Sequence, residues 1–186
     1  YLNTSGVATL TVSDVNNGSS DNCTPTNALI IKLSKTTFNC TNKGVNTVEM
    51  SVKDASGNIA TCQSTVTVVD SSTPTLIATS GTVTSVLNTD AGACSYKVKG
   101  SELDPIGSDN CTGTTLTYSV TGATTISGTS SLAGVTLLKG DNVISWTVSD
   151  GTNTSVPLVF TKTVKDNQAP SVTTVGSKYR GTTAGV

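Results

Sequence analysis

The stretch Thr47-Val48-Glu49-Met50-Ser51-Val52-Lys53-Asp54-Ala55-Ser56-Gly57-Asn58-Ile59-Ala60 decides the fold. Val48, Met50 and Val52 share one face of an extended segment, because side chains alternate across a strand with a period of two. Asp54 to Asn58 reads as a turn, where Asp accepts backbone hydrogen bonds and Gly supplies a left-handed conformation. Alternation resumes from Ile59 to Val69, with Ala60, Cys62, Val66 and Val68 on one side, so the two runs form a β-hairpin. The pattern returns downstream. Val143 to Val148 places Ile144, Trp146 and Val148 on one face, and Ser149-Asp150-Gly151-Thr152-Asn153 repeats the turn, Asp54 and Asp150 lying 96 positions apart. Met50 and Trp146 are equivalent, so the single Trp reads as core rather than as an exposed binding aromatic.

Other landmarks extend the repeat. Val69-Asp70-Ser71-Ser72-Thr73-Pro74 matches Lys165-Asp166-Asn167-Gln168-Ala169-Pro170, again 96 positions on. Ser20-Asp21-Asn22-Cys23 recurs as Ser108-Asp109-Asn110-Cys111, but 88 positions on, which predicts an eight-residue insertion as a surface loop around Thr121 to Gly134. Residues 1–70 are then a repeat truncated at its start, 71–166 a complete repeat and 167–186 the beginning of a third. Short Asp-to-Pro junctions leave little slack, so neighbours should sit end to end as a semi-rigid rod. Cys94, Tyr96 and Val98 alternate, as do Leu116, Tyr118 and Val120, and no segment has helical periodicity. The fold class expected is all-β, in tandem immunoglobulin-like β-sandwich repeats, the size of one repeat being that of such a sandwich.

Composition agrees. Roughly a third of the 186 residues are Ser or Thr, while 12% are charged and 4% aromatic. β-branched side chains suit a half-buried pleated surface and lose rotamer freedom in helices. With no histidine, Ser-His-Asp and Cys-His catalytic units and histidine-ligated zinc are closed to this chain. No clustered acid–base pair or nucleophile motif points to an enzyme. A net charge of −1 offers no field for nucleic acid, and no apolar run approaches the ~20 residues of a membrane helix. An initiator Met and a signal-peptide pattern are both lacking at Tyr1, so the chain reads as a soluble fragment of a longer array.

Five cysteines without a Cys-x-x-Cys spacing argue for disulfides and an oxidising, extracellular setting. Cys94 and Cys111 are the only cysteines of the complete repeat and are expected to pair. In the first repeat Ala8 stands where Cys94 stands in the second, Cys40 aligns with Thr136 and Cys62 with Leu158. The preferred pairing is Cys23–Cys40, with Cys62 bonded to a cysteine upstream of the fragment; Cys40–Cys62 is the alternative.

Asp21-Asn22-Cys23, Phe38-Asn39-Cys40, Gly44-Val45-Asn46-Thr47-Val48 and Asp54-Ala55-Ser56-Gly57-Asn58-Ile59-Ala60-Thr61-Cys62 resemble the hyalin-repeat (HYR) family, whose members are Ig-like β-sandwiches. The second repeat keeps Asp109-Asn110-Cys111, Gly140-Asp141-Asn142 and Asp150 but not the last cysteine. The Thr/Ser/Asn-rich style is also similar to giant surface adhesins of Bacteroidetes, exported by the type IX system and used in attachment and gliding motility. The resemblance implies cell adhesion at the cell surface, with neighbouring repeats as partners and surface glycans or other surface proteins as further ones. A carbohydrate-binding module of a secreted enzyme is the alternative; it would need an exposed platform such as Tyr96 or Tyr118.

Carboxylates recur at equivalent landmarks: Asp21 and Asp109, Asp54 and Asp150, Asp70 and Asp166. Two readings are open. Asp is favoured in turns, and Asp is also a hard oxygen ligand for calcium. Within the second reading Asp70 and Asp166 are the expected ligands, because an ion at a junction would stiffen the rod. Asn-x-Ser/Thr sequons at Asn3, Asn17, Asn22, Asn39, Asn110 and Asn153 arise readily in so Ser/Thr-rich a chain. Lys178-Tyr179-Arg180 is expected on a solvated strand or loop of the third repeat.

Overall fold

The structure, a computed structural model, describes residues 1–173 and 176. Lys178 to Arg180 and most of the expected third repeat lie outside the described residues. The fold is all-β, with one four-residue helical turn at Val12–Val15 and three short 3₁₀ turns among the described residues.

In the first half, β1 (Val7–Thr9) pairs with β3 (Thr37–Asn39), and β2 (Ile30–Leu33), β4 (Gly44–Lys53) and β5 (Ile59–Val68) form a second, antiparallel sheet in the order β2-β4-β5. The hairpin read from sequence is β4–β5, with Lys53 opposite Ile59 and Met50 opposite Cys62. The two layers close on Leu2, Phe38, Val48 and Val68. Only the lower end of β5 is covered: Val68 is buried, whereas Ala60 and Cys62, on the same side of the alternation, are exposed.

The second half is fuller. A five-stranded sheet runs β11-β10-β13-β14-β7, from Ile126–Thr129, Thr115–Gly122, Gly140–Ser149, Leu158–Lys165 and Ser85–Asn88 respectively. Against it lie β8 (Ser95–Lys97) with β12 (Thr136–Leu138), and β6 (Thr75–Ile77) with β9 (Ile106–Ser108). Tyr96 and Leu137 from one layer meet Tyr118, Ile144, Trp146, Phe160 and Val164 from the other. Trp146 is completely buried, 5.3 Å from the Tyr118 ring, so the expectation that it is core holds. Burial pushes the Tyr96 phenol up to about 12, with help from its hydrogen bond to Glu102 Oε1 at 2.6 Å.

Two strand pairings of the first half have counterparts in the second, although β6, β7, β9 and β11 have none. Phe38 opposite Ala8 corresponds to Leu137 opposite Tyr96, and Leu33 opposite Met50 to Tyr118 opposite Trp146. A shared device starts β4 and β13. Asn46 Nδ2 donates to the carbonyls of Asn42 and Gly44, and Asn142 Nδ2 to those of Leu138 and Gly140, each tying down the bend at a left-handed glycine.

The strand register corrects three alignments. The insertion around Thr121 to Gly134 is not a surface loop: Ile126–Thr129 is an edge strand on β10, and Leu132 beyond it is fully buried. Cys94 corresponds to Gly6 rather than to Ala8, because Ala8 takes the place of Tyr96. Cys40 has no counterpart at Thr136. It lies on a 3₁₀ turn, Cys40–Asn42, inserted between β3 and β4, where the second half passes from Leu138 to Gly140 through Lys139 alone.

Candidate functional site

The inserted turn faces the second half. Asn39 Oδ1 accepts from Thr41 N at 3.0 Å and Asn42 Oδ1 from Asn39 N at 3.1 Å, a reciprocal cap that holds Cys40 outward and sets Lys43 beside it. Cys40 is bonded to Cys111, 71 positions on in sequence, with the two Cα atoms 5.6 Å apart. This replaces both expected pairings, Cys23–Cys40 and Cys94–Cys111, and the alternative Cys40–Cys62. Cys23, Cys62 and Cys94 are free and exposed. The reason is positional: Cys111 sits on the loop after β9 that packs into the base of the first half's core, among Leu2, Phe38 and Val68.

Around this bond the halves interlock through loops. Asn110 Nδ2 donates to Asn3 O at 3.0 Å, and Asn153 Nδ2 to Asp70 O at 3.3 Å. Gly6 has φ of +70°, and a Cβ there would lie 2.7 Å from both Asn110 O and Cys40 Sγ, so this approach requires glycine. Of the sequon residues, Asn110 and Asn153 spend side-chain groups on these contacts, whereas Asn3 and Asn39 spend theirs locally: Asn3 Oδ1 accepts from Ser5 N and Val7 N, and Asn39 Oδ1 from Thr41 N.

The recurring carboxylates divide into two groups. Asp54 accepts from Asn58 N and Asn58 Nδ2, Asp21 from Cys23 N and Thr24 N, and Asp150 from Thr152 N and both nitrogens of Asn153. These are turn formers. The Asn58 side-chain hydrogen bond chiefly holds Asp54 below the usual carboxylate range, and the backbone N–H of Cys23 does so for Asp21. For Asp150, burial acts upward and is outweighed by the Asn153 and Thr152 hydrogen bonds and by Lys43, leaving its carboxyl below that range too.

Asp70 and Asp109 are different. Asp70 Oδ1 accepts from Ser72 N and Asp109 Oδ2 from Cys111 N, but Asp70 Oδ2, Asp109 Oδ1 and the neighbouring Asn110 Oδ1 are buried without a hydrogen-bond partner. The Asp70 side chain is 1% exposed, and its nearest counter-charge, Lys43 Nζ, is 3.8 Å away on a side chain 35% exposed. A carboxylate oxygen of Asp70, one of Asp109 and Cys111 Sγ lie within 4.8 Å of one another. Asp166, the other expected ligand, is exposed, accepts from Gln168 N and joins no such group among the described residues. Asp109 was visible in the sequence as part of Asp-Asn-Cys, but only its place at the junction separates it from the exposed Asp21.

Neither a family model nor a curated protein matches this chain. No helix among the described residues is long and apolar enough to cross a membrane.

Proposed function

We propose that the chain is a non-enzymatic stretch of tandem Ig-like sandwiches of hyalin-repeat type, serving as a semi-rigid stalk in an extracellular bacterial adhesin. The observation that carries this reading is the Cys40–Cys111 bond. It ties two internally repeated halves together at their junction, where a tensile load along the chain would otherwise pull loops apart. A disulfide there also accords with an oxidising compartment. The glycan-binding alternative has less to rest on, because Tyr96 and Tyr118 are both buried in the second core.

Two measurements on the oxidised chain test the stalk. Small-angle scattering should give a radius of gyration well above the ~16 Å of a compact domain of this length. Pulling single molecules from their ends should yield a contour length about 24 nm longer in reductant than without it, since the bond shields 71 residues at roughly 3.4 Å each. A compact particle, or equal contour lengths, would refute it.

A further inference from the structure

We propose that the junction is a binding site for a hard divalent cation, calcium by its donor chemistry, held between Asp70 and Asp109. This goes beyond the stalk reading and does not depend on it.

A carboxylate oxygen shut away from water without a donor is costly, and burying the charge itself costs more. Here two such oxygens from different halves, Asp70 Oδ2 and Asp109 Oδ1, are orphaned at one place, with Asn110 Oδ1 a third on the adjoining residue. Lys43 supplies one positive charge against two negative ones, from beyond hydrogen-bonding distance and from a side chain that reaches solvent. The carboxylates approach within 4.8 Å, the largest separation that one ion with oxygen ligands at about 2.4 Å can bridge. The sulfur of the trio does not compete as a ligand, because Cys111 is committed to Cys40. What remains are oxygens, the donor set of calcium rather than of zinc. A cleft of about 350 Å³ beside them, lined by Thr4, Ser72, Thr73, Thr75, Ser108 and the two ligand-bearing residues Asp109 and Asn110, has room for the waters that complete such a shell.

The experiment uses the whole oxidised chain, melted in chelator and in calcium chloride, with calcium titrated calorimetrically. At a hundredfold excess over Kd, calcium should raise Tm by about 5–10 °C. Asp70→Asn and Asp109→Asn should each weaken calcium binding at least tenfold, Asp54→Asn should leave it unchanged, and Lys43→Gln should tighten it by removing the resident cation. If Asp70→Asn does not fold, Asp109→Asn at the less buried position decides. Absence of heat and of a Tm shift in the parent chain would overturn the proposal, as would binding that survives Asp109→Asn. Because shape is read separately by scattering, an elongated chain that ignores calcium overturns this inference and leaves the stalk standing.

Discussion

Replacing Cys40 and Cys111 by alanine, singly and together, tests how the chain is cross-linked. The bond spans 71 positions, and in the loop-closure model a loop of that size stabilises the native state by about 4 kcal/mol, by restricting the unfolded chain. For a chain of this length each kcal/mol moves Tm by roughly 2–4 °C, so each single variant should melt about 8–16 °C lower. The double variant should lose no second loop term, because either substitution alone opens the loop. Cys111→Ala should cost about 1 kcal/mol more than Cys40→Ala, since it also thins the core around Phe38 and Val68. Cys23→Ala and Cys94→Ala change exposed thiols and should stay within about 0.5 kcal/mol of the parent. Bonds inside each half make the opposite forecast. Cys23–Cys40 and Cys94–Cys111 would each close 17 positions, worth about 3 kcal/mol apiece, so losses at Cys40 and Cys111 would add. The assay is urea denaturation in non-reducing buffer, with peptide mapping of the oxidised chain. Additive losses, or a Cys23→Ala or Cys94→Ala variant as weak as Cys40→Ala, would refute the inter-half bond.

Gly6→Ala should destabilise by about 1–3 kcal/mol, since the new methyl meets Asn110 O and Cys40 Sγ at 2.7 Å on a left-handed backbone; calorimetry reads this as a lower Tm, and an unchanged Tm would mean that the loops do not approach so closely. Deleting Cys40 to Asn42 gives the first half the short β3–β4 connection of the second. It should leave the second core intact, trim the first only at Cys40, and abolish the disulfide, seen as two melting transitions in place of one. The pH dependence follows from Asp21, Asp54 and Asp150, whose folded-state values lie below the ordinary 3.8. Groups depressed in the native state contribute fully above their unfolded value and lose that contribution as pH falls through the folded one. Urea midpoints should therefore be flat from pH 7 to 5 and fall below about pH 4, less steeply in Asp54→Asn.

The strands were legible because the signal that specifies them is local. Period-two alternation places Val48, Met50, Ile144 and Trp146 whatever the rest of the chain does, and the Asp-to-Asn turns close on their own hydrogen bonds. The insertion was harder, because a Gly/Ser/Thr-rich stretch looks like a loop until a neighbouring edge is there to pair with it; Ile126 to Thr129 become a strand only against β10. The disulfide was not legible at all. A constant 96-residue offset slid Cys40 onto Thr136 and hid a three-residue turn whose purpose is to reach the other half. Counting cysteines within each repeat then assumed that a bond belongs to one fold unit, which nothing in the local sequence requires.

Strand equivalence gives the cysteines a different logic. Cys23 and Cys111 occupy the same place in Asp-Asn-Cys, on a loop that in the second half points back toward the first. Cys94 corresponds to Gly6, which touches Cys40 Sγ, so Cys40 and Cys94 mark the opposite, forward end of their halves. At that forward end of the second half, Gln168 already packs on the loop before Cys94, donating to Asp90 O and accepting from Gly92 N. On the proposed tandem reading, the exposed Cys23 and Cys94 would offer to neighbouring units the relation that Cys111 and Cys40 hold here. Asp109 shares its motif with Asp21, yet only the copy that faces the other half has a carboxylate oxygen, Oδ1, buried without a donor. On the proposed reading, the Asp-Asn-Cys motif of the second half acquires its chemistry from what the first half brings against it.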